Sequence, residues 1–114
     1  MIVAGLQALK AEFDKIEIDT MVDENNYCVY AHYFPDEKRY YGISQNPENR
    51  WGKNGEGYSN QKRIWAAIQK FGWENVKHEI IISNLNKQSA LMIEEALINQ
   101  YKTNIPACGY NEYL

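Results

Sequence analysis

The stretch YCVYAHYFPDEKRYYG, residues 27–42, decides the fold. Its first part is rich in aromatic and β-branched residues, which is typical of a strand, and PDEK carries proline at a favoured turn position. RYYGIS, residues 39–44, is typical of a returning strand. The stretch therefore predicts a hairpin. It also holds five tyrosines in sixteen positions, more than the packing of a core requires.

Capping residues and apolar spacing predict the elements around this hairpin. Asn46 followed by Pro47 indicates a short helix, and a second helix starting near Asn60 stops at Gly72. VKHEIIIS, residues 76–83, is typical of a third strand, and Asn86 caps a last helix. We therefore expect an α/β (α+β) domain with a small three-stranded antiparallel sheet flanked by helices. The predicted apolar face of the last helix consists of Leu91, Leu97, Ile98 and Tyr101.

An extra amphipathic helix is predicted before the hairpin. Apolar residues recur at intervals of four and three along positions 2–16, and the acidic stretch DTMVDENN then breaks the pattern. We therefore divide the chain into an N-terminal helix with its linker, residues 1–25, and a main domain, residues 26–114. The apolar stripe is expected to pack on the domain itself. Pairing of two such helices in a homo-oligomer is the alternative, although the stripe is short for a coiled coil.

Composition limits the classes of protein to consider. Hydrophobic residues make up 45% of the chain and charged residues 24%, which is typical of a globular domain. Cys28 and Cys108 have no partner at zinc-ligand spacing, and no apolar run approaches the roughly 18 residues of a membrane span. We therefore expect a cytoplasmic protein with reduced thiols, no membrane association and no organic cofactor.

Charge is distributed unevenly along the chain, although the net charge is −3. Residues 38–77 carry eight basic and three acidic side chains, a net of +5, between flanks of −6 and −2. Such a segment suits nucleic acid, because phosphate binding depends mainly on Lys and Arg. On composition alone an ordinary solvated surface is the more common explanation of such a segment, and charge leaves both interpretations open.

Short motifs follow one another in a characteristic order. CVY, residues 28–30, and YYG, residues 40–42, lie on the two hairpin strands; NRW follows with Arg50, the last helix carries Glu94, and GYN ends at Asn111. Together they resemble the motifs of the GIY-YIG nuclease family, over about residues 26–112. The sequence has Cys28, Val29 and Tyr41 where the family has Gly, Ile and Ile. These departures leave the reactive tyrosines in place.

The resemblance implies a GIY-YIG-like fold and a metal-dependent endonuclease that hydrolyses DNA by attack of an activated water. It implies that Tyr30 is the general base or hydrogen-bonds this water, and that Tyr40 orients it. Arg50 corresponds to the arginine that grips the scissile phosphate. Glu94 takes the metal-ligand position for one Mg²⁺ or Mn²⁺ ion, and Asn111 supports the active centre.

Residue chemistry is compatible with these roles. A free phenol has a pKa of ~10, so Tyr30 needs a nearby positive charge, for which Arg50, Lys38 and the metal are candidates. Adjacent helical residues point about 100° apart, so Glu94 and Glu95 should not face one site. Glu94 falls on the apolar side of its helix, and Glu95 should be exposed. Each of these residues also has a simpler interpretation. Tyr30 and Tyr40 would pack in the core, Arg50 would be a solvated helix arginine, and Asn111 would be a turn residue.

Further candidates surround these residues. His32 shares the strand parity of Tyr30 and could assist proton transfer, whereas His78 is expected in a core strand; both histidines have structural alternatives. Tyr58 lies where some family members carry a histidine. Four basic residues near aromatic ones suit a nucleic-acid groove, although the aromatics could equally be core: Lys53, Lys62, Arg63 and Lys70.

Two other functions stay open on the sequence alone. One is a catalytically silent nucleic-acid-binding module, and the other is a protein-interaction domain that uses the N-terminal helix. The presence of all five family residues argues against both, because a binding protein has no need to retain them.

Overall fold

Three antiparallel strands form the centre of the fold in the computed structural model, which describes residues 25–112. β1 (Tyr27–Tyr33) lies between β2 (Arg39–Ser44) and β3 (Lys77–Leu85), with both pairings antiparallel. The predicted hairpin and the predicted three-stranded sheet are therefore confirmed. The predicted N-terminal helix, with all but the last residue of its linker, lies outside the described residues.

Helices follow each edge strand. α1 (Pro47–Trp51) begins after Asn46, whose side chain accepts a hydrogen bond from the Asn49 N–H, as its sequence predicts. A 3₁₀ segment (Lys53–Tyr58) follows α1, and α2 (Lys62–Phe71) begins two residues later than predicted. A short 3₁₀ turn (Trp73–Asn75) leads into β3. α3 (Lys87–Tyr101) begins after Asn86, which caps the Ser89 N–H.

The register of the hairpin sorts its side chains onto two faces. Tyr30 pairs with Gly42 and His32 pairs with Tyr40, so the three side chains lie on one face of the sheet. The opposite face contributes Tyr41, which packs with Ala31 and Ile98. The core on the first face is formed with the 3₁₀ segment and α2, and it contains Cys28, Tyr30, Phe34, Tyr40, Tyr58, Ile64, Ala67, Ile68 and Val76.

The periphery of the sheet differs from the prediction at two places. β3 is an edge strand with one neighbour, and most of its residues are exposed. The prediction that His78 lies in a core strand is therefore wrong, and its ring is only half-buried. On α3, Ala90 and Ile98 are buried, whereas Leu91 and Tyr101 of the predicted apolar face are 43% and 39% exposed. None of the helices within residues 25–112 combines the length and hydrophobicity that a bilayer crossing needs.

Candidate active site

Tyr30 and Gly42 face each other across the hairpin. A Cβ atom added to Gly42 would lie 2.5 Å from the hydroxyl oxygen of Tyr30 and 2.6 Å from its ring carbon Cζ. Any side chain at this position would overlap the phenol. The glycine of YYG is therefore required by the place that the tyrosine of CVY occupies, and the two motifs depend on each other physically.

A series of hydrogen bonds connects Tyr30 to two histidines. The Tyr58 hydroxyl donates to the Tyr30 hydroxyl over 2.9 Å and lies 2.8 Å from Nε2 of His32. On the other side of the His32 ring, Nδ1 is 2.9 Å from Nδ1 of His78. We call these four side chains the Tyr–His series. Three of them are buried, and His78 at the end is half-buried.

Burial controls the protonation of the series. It raises the pKa of Tyr30, while the Tyr58 hydrogen bond and the Arg50 charge lower it in part and the Glu94 charge raises it further. Burial also raises the pKa of Tyr58. The pKa of His32 is held well below its usual range by burial, with smaller contributions from the charges of His78 and Arg50. The neutral forms of these three side chains are therefore favoured at neutral pH.

Arg50 lies on α1 and is held by the 3₁₀ segment that follows. Its guanidinium carbon is 4.5 Å from the centroid of the Tyr58 ring, and Nη1 donates a 2.6 Å hydrogen bond to the Gly57 carbonyl. A Cβ atom on Gly57 would lie 1.8 Å from the Arg50 carbonyl oxygen, so only glycine permits this close approach. The stacking and the hydrogen bond fix the guanidinium beside the buried tyrosines.

A pocket of about 320 Å³ lies among β2, α2, α3 and the C-terminal segment. We call it the carboxylate pocket. Three predicted site residues line it, whereas Tyr30 and Arg50 lie outside its lining. The Tyr40 hydroxyl in its wall donates to Oε1 of Gln61 over 3.5 Å. The lining consists of Tyr40, Gln61, Leu91, Glu94, Glu95, Ile98, Asn111 and Glu112.

Glu94 is the unusual acid of this pocket. Burial, followed by repulsion from Glu95, raises the pKa of Glu94 to about 7. Glu94 is half-buried and Glu95 is exposed, as the helical phase predicts. Both nevertheless line the pocket, so the expectation that the two could not share a site is wrong. The reason is that flexible glutamate side chains can converge although their Cα–Cβ bonds diverge.

The donor set fits a hard cation that keeps most of its water. Mg²⁺ is usually held by one or two carboxylates, and Mn²⁺ accepts the same oxygen ligands. Glu94 offers a partly desolvated carboxylate, whereas the Glu95 side chain is exposed. No three His, Cys, Asp or Glu side chains between residues 25 and 112 form a metal cluster. The carboxylate of Glu94 fits a cation of this kind.

Asn111 fastens the C-terminal segment to β2. Its Oδ1 accepts hydrogen bonds from the Tyr41 N–H over 3.0 Å and from the Thr103 hydroxyl over 2.8 Å. Its Nδ2 donates to the Tyr41 carbonyl over 2.9 Å. The side-chain amide thus pairs with Tyr41 as a neighbouring strand would. Because these bonds are made within the protein, Asn111 positions the pocket wall.

Arg63, predicted to contact nucleic acid, holds the same segment. Its guanidinium donates to the carbonyls of Gly109 and Asn111, and its backbone N–H donates a 2.6 Å hydrogen bond to the Glu112 carboxylate. Glu112 thereby caps α2, whose own N-cap residue Gln61 makes no capping bond. A direct role of Arg63 toward nucleic acid stays a prediction.

The other predicted residues lie apart from the carboxylate pocket. Lys38 is in the β1–β2 turn, where its Nζ is 5.5 Å from the centroid of the Tyr110 ring. The positive charge that lowers the pKa of Tyr30 is that of Arg50. Three predicted nucleic-acid contacts are exposed to solvent: Lys53, Lys62 and Lys70.

His78 is the residue that sequence reasoning missed. It is the direct partner of His32 in the β1–β3 register, and this pairing places the two rings together. The ring of His78 also lies 4.1 Å from that of Trp73 and 5.3 Å from that of Trp51, measured between centroids. His32 could be linked to Tyr30 from the sequence, because the two residues lie two positions apart on one strand. His78 lies on another strand, and the sequence does not reveal the register between β1 and β3.

Comparison with known proteins agrees with this geometry. The sequence model of the GIY-YIG catalytic domain matches residues 26–111. No curated protein and no solved structure matches the chain. The matched region covers most of the sequence and includes the hairpin, Arg50, Glu94 and Asn111. The chain therefore belongs to the GIY-YIG nuclease family.

Proposed function

We propose that this protein is an endonuclease that hydrolyses DNA phosphodiester bonds with the help of one Mg²⁺ ion. One observation carries the proposal: the Tyr58 ring contacts Arg50 and Tyr40, and its hydroxyl donates to Tyr30. A proton acceptor and a cation for the phosphate therefore lie around one side chain, and Tyr40 lines the carboxylate pocket together with Glu94, the candidate metal ligand. Attack of water on a phosphodiester requires these three components.

Each residue has a defined task in this reaction. Tyr30 takes the proton of the attacking water, and Tyr40, whose side chain lines the carboxylate pocket, orients that water. Arg50 offers a planar fork to the phosphate oxygens and stabilises their charge in the transition state. Glu94 would hold the Mg²⁺ ion, which would supply Lewis-acid polarisation of the phosphate when bound. Asn111 keeps the pocket wall against β2.

Exposed lysines support DNA as the substrate. Lys53, Lys62 and Lys70 lie in the segment whose net charge is +5, and all three side chains are exposed. The overall charge of −3 does not oppose this assignment, because counterion release depends on local contacts with phosphates.

The test is nicking of supercoiled plasmid by the full chain in MgCl₂ and in EDTA. We expect conversion to the open-circular form in MgCl₂ alone. The Glu94→Gln variant is expected to lose this activity and to retain its fold and its affinity for plasmid. Glu95→Gln is the matched control, because this side chain lines the same pocket from a more exposed position, and it should cut at close to the parent rate. Branched and single-stranded substrates then define which DNA structure is preferred.

A catalytically silent DNA-binding module is the second candidate. The observation in its favour is that Tyr30 is only 1% exposed and that burial raises the pKa of its hydroxyl. Retention of plasmid on a filter in EDTA, together with no nicking in MgCl₂ or MnCl₂, would favour this module over the enzyme.

A further inference from the structure

His78 lies at the half-buried end of the Tyr–His series. Three contacts of 2.8 to 2.9 Å lead from the Tyr30 hydroxyl through Tyr58 and His32 to Nδ1 of His78. Hydroxyl hydrogens rotate, and each imidazole can carry its proton on either nitrogen. Every contact in the series can therefore run in either direction, which is the structural requirement for passing a proton along it.

A buried tyrosine is a poor place to leave a negative charge. Tyr30 and Tyr58 are 1% and 0% exposed, so the phenolate of either would lose most of its hydration. Burial accordingly raises the pKa of both hydroxyls. A base that works in this position should pass on one proton as it accepts another.

His78 is the member of the series best able to hold a positive charge. Its ring is tilted about 30° from the rings of Trp73 and Trp51, whose faces favour a cation. A hydrogen bond to the Trp73 backbone also favours its protonated form, although burial lowers its pKa. His32 also contacts Trp51 and Trp73, but it is fully buried, and burial and the charges of His78 and Arg50 disfavour its protonation.

We propose that the Tyr–His series is a proton relay that ends on His78. Tyr30 accepts a proton from the attacking water and gives its own hydroxyl proton to Tyr58. Tyr58 gives its proton to Nε2 of His32, and His32 gives the proton on its Nδ1 to Nδ1 of His78. The water oxygen becomes bonded to phosphorus while the bond from phosphorus to the leaving ester oxygen breaks. The leaving oxygen takes a proton from solvent, and His78 becomes an imidazolium.

The relay moves one proton from the water to His78 without forming a phenolate. One proton leaves the water and one is gained by His78, while both tyrosines and His32 are neutral before and after the transfer. After the transfer, the Tyr58 hydroxyl donates to the Tyr30 hydroxyl, as it does in the structure. Before the transfer, each hydrogen bond of the series runs in the opposite direction. Release of a proton from half-buried His78 to solvent, followed by rotation of the tyrosine hydroxyls and exchange of the His32 tautomer, returns the series to its starting arrangement. The relay rests on the proposed function, since it serves the hydrolysis of DNA.

The decisive variant is His78→Ala, assayed for plasmid nicking in MgCl₂. We expect a rate loss of about a hundredfold, the usual scale of a lost proton acceptor, with plasmid affinity within twofold of the parent. Added imidazole should restore part of the rate, and substituted imidazoles should restore more of it as their basicity rises. Lys77→Ala on the same strand is the control and should nick at the parent rate. His78→Phe keeps the ring packing and should be slow without rescue.

A parent-like rate in His78→Ala or His78→Phe would overturn the relay, as would rescue that ignores the basicity of the added imidazole. A ¹⁵N spectrum of the histidine rings gives a readout without DNA. We expect a neutral His32 whose tautomer balance shifts in Tyr58→Phe, and a His32 ring that is protonated at neutral pH or unaffected by Tyr58→Phe would also refute the relay. If the parent nicks no DNA while Tyr58→Phe shifts the His32 tautomer balance, the proposed function fails and the hydrogen-bonded series stands.

Discussion

The hydroxyl of Tyr30 occupies the space in which Gly42 would carry its side chain. A methyl group there must displace the phenol, and overpacking of a buried site costs about 1–3 kcal/mol. We expect Gly42→Ala to lower the free energy of unfolding by that amount and to abolish nicking, measured by denaturant titration and the plasmid assay. In a Tyr30→Ala background the same substitution should cost little, and an equal cost in both backgrounds would contradict the contact.

Glu94 should make the stability of the protein depend on pH. Its pKa rises from 4.5 to about 7 on folding, so between these values the folded state binds more protons than the unfolded state. The free energy of unfolding therefore falls as pH rises through this window. Glu94→Gln should flatten the fall, measured by melting temperature in EDTA from pH 4.5 to 8. Glu95→Gln should change it less, and parent-like curves for Glu94→Gln would show that Glu94 is not desolvated.

Mg²⁺ should stabilise the folded protein through the same carboxylate. A ligand at a hundred times its dissociation constant adds about 2.7 kcal/mol when it binds only the folded state. At pH 8, MgCl₂ is expected to raise the melting temperature of the parent and of Glu95→Gln, with little effect on Glu94→Gln. Equal stabilisation of all three proteins would place the ion elsewhere.

Arg50 should matter more to the rate of cutting than to binding. Its guanidinium is fixed by the Tyr58 ring and the Gly57 carbonyl, so it is organised before the transition state forms. We expect Arg50→Ala to lower the nicking rate by about a hundredfold or more and plasmid affinity by only a few-fold. Arg50→Lys should recover little, because an ammonium cannot reproduce the fork. An unchanged rate in Arg50→Ala would remove this residue from the mechanism.

Lys62 and Arg63 are neighbours with different expected roles. Lys62 is exposed, so Lys62→Ala should reduce the slope of log affinity against log salt by about 1 and leave the melting temperature unchanged. Arg63→Ala should lower the melting temperature, because its guanidinium holds the carbonyls of Gly109 and Asn111. Lys87→Ala, an exposed lysine on α3, serves as the control. A parent-like salt slope in Lys62→Ala would show that this lysine meets no phosphate.

The local signals of the sequence predicted the elements well. Enrichment in aromatic and β-branched residues on both sides of PDEK predicted the hairpin, and Asn46 and Asn86 predicted the starts of two helices, because strand and cap signals act over a few residues. α2 was the exception: the residue that caps its first turn is Glu112, about fifty positions away in the sequence. No local pattern could reveal that contact.

Long-range pairing explains the rest of the differences. The exposure of Leu91 depends on how α3 lies against the sheet, and the position of His78 depends on the register between β1 and β3. The charge pattern marked Arg63 as a surface residue, although its guanidinium is used inside the protein. Periodicity and charge describe one segment at a time, whereas these properties arise only when segments distant in sequence meet.

Pairing between Tyr41 and Asn111 also sets the time at which the carboxylate pocket can close during synthesis. The two residues are 70 positions apart, an interval that a ribosome covers in roughly 4–14 seconds at about 5–20 residues per second. Once Arg50 has been added, the nascent chain contains the residues of the hairpin and this arginine, but until residue 111 is made it lacks the amide that fastens the pocket wall. A newly made molecule therefore begins with two unpaired backbone groups at Tyr41, and it becomes a complete nuclease domain only after Asn111 has docked.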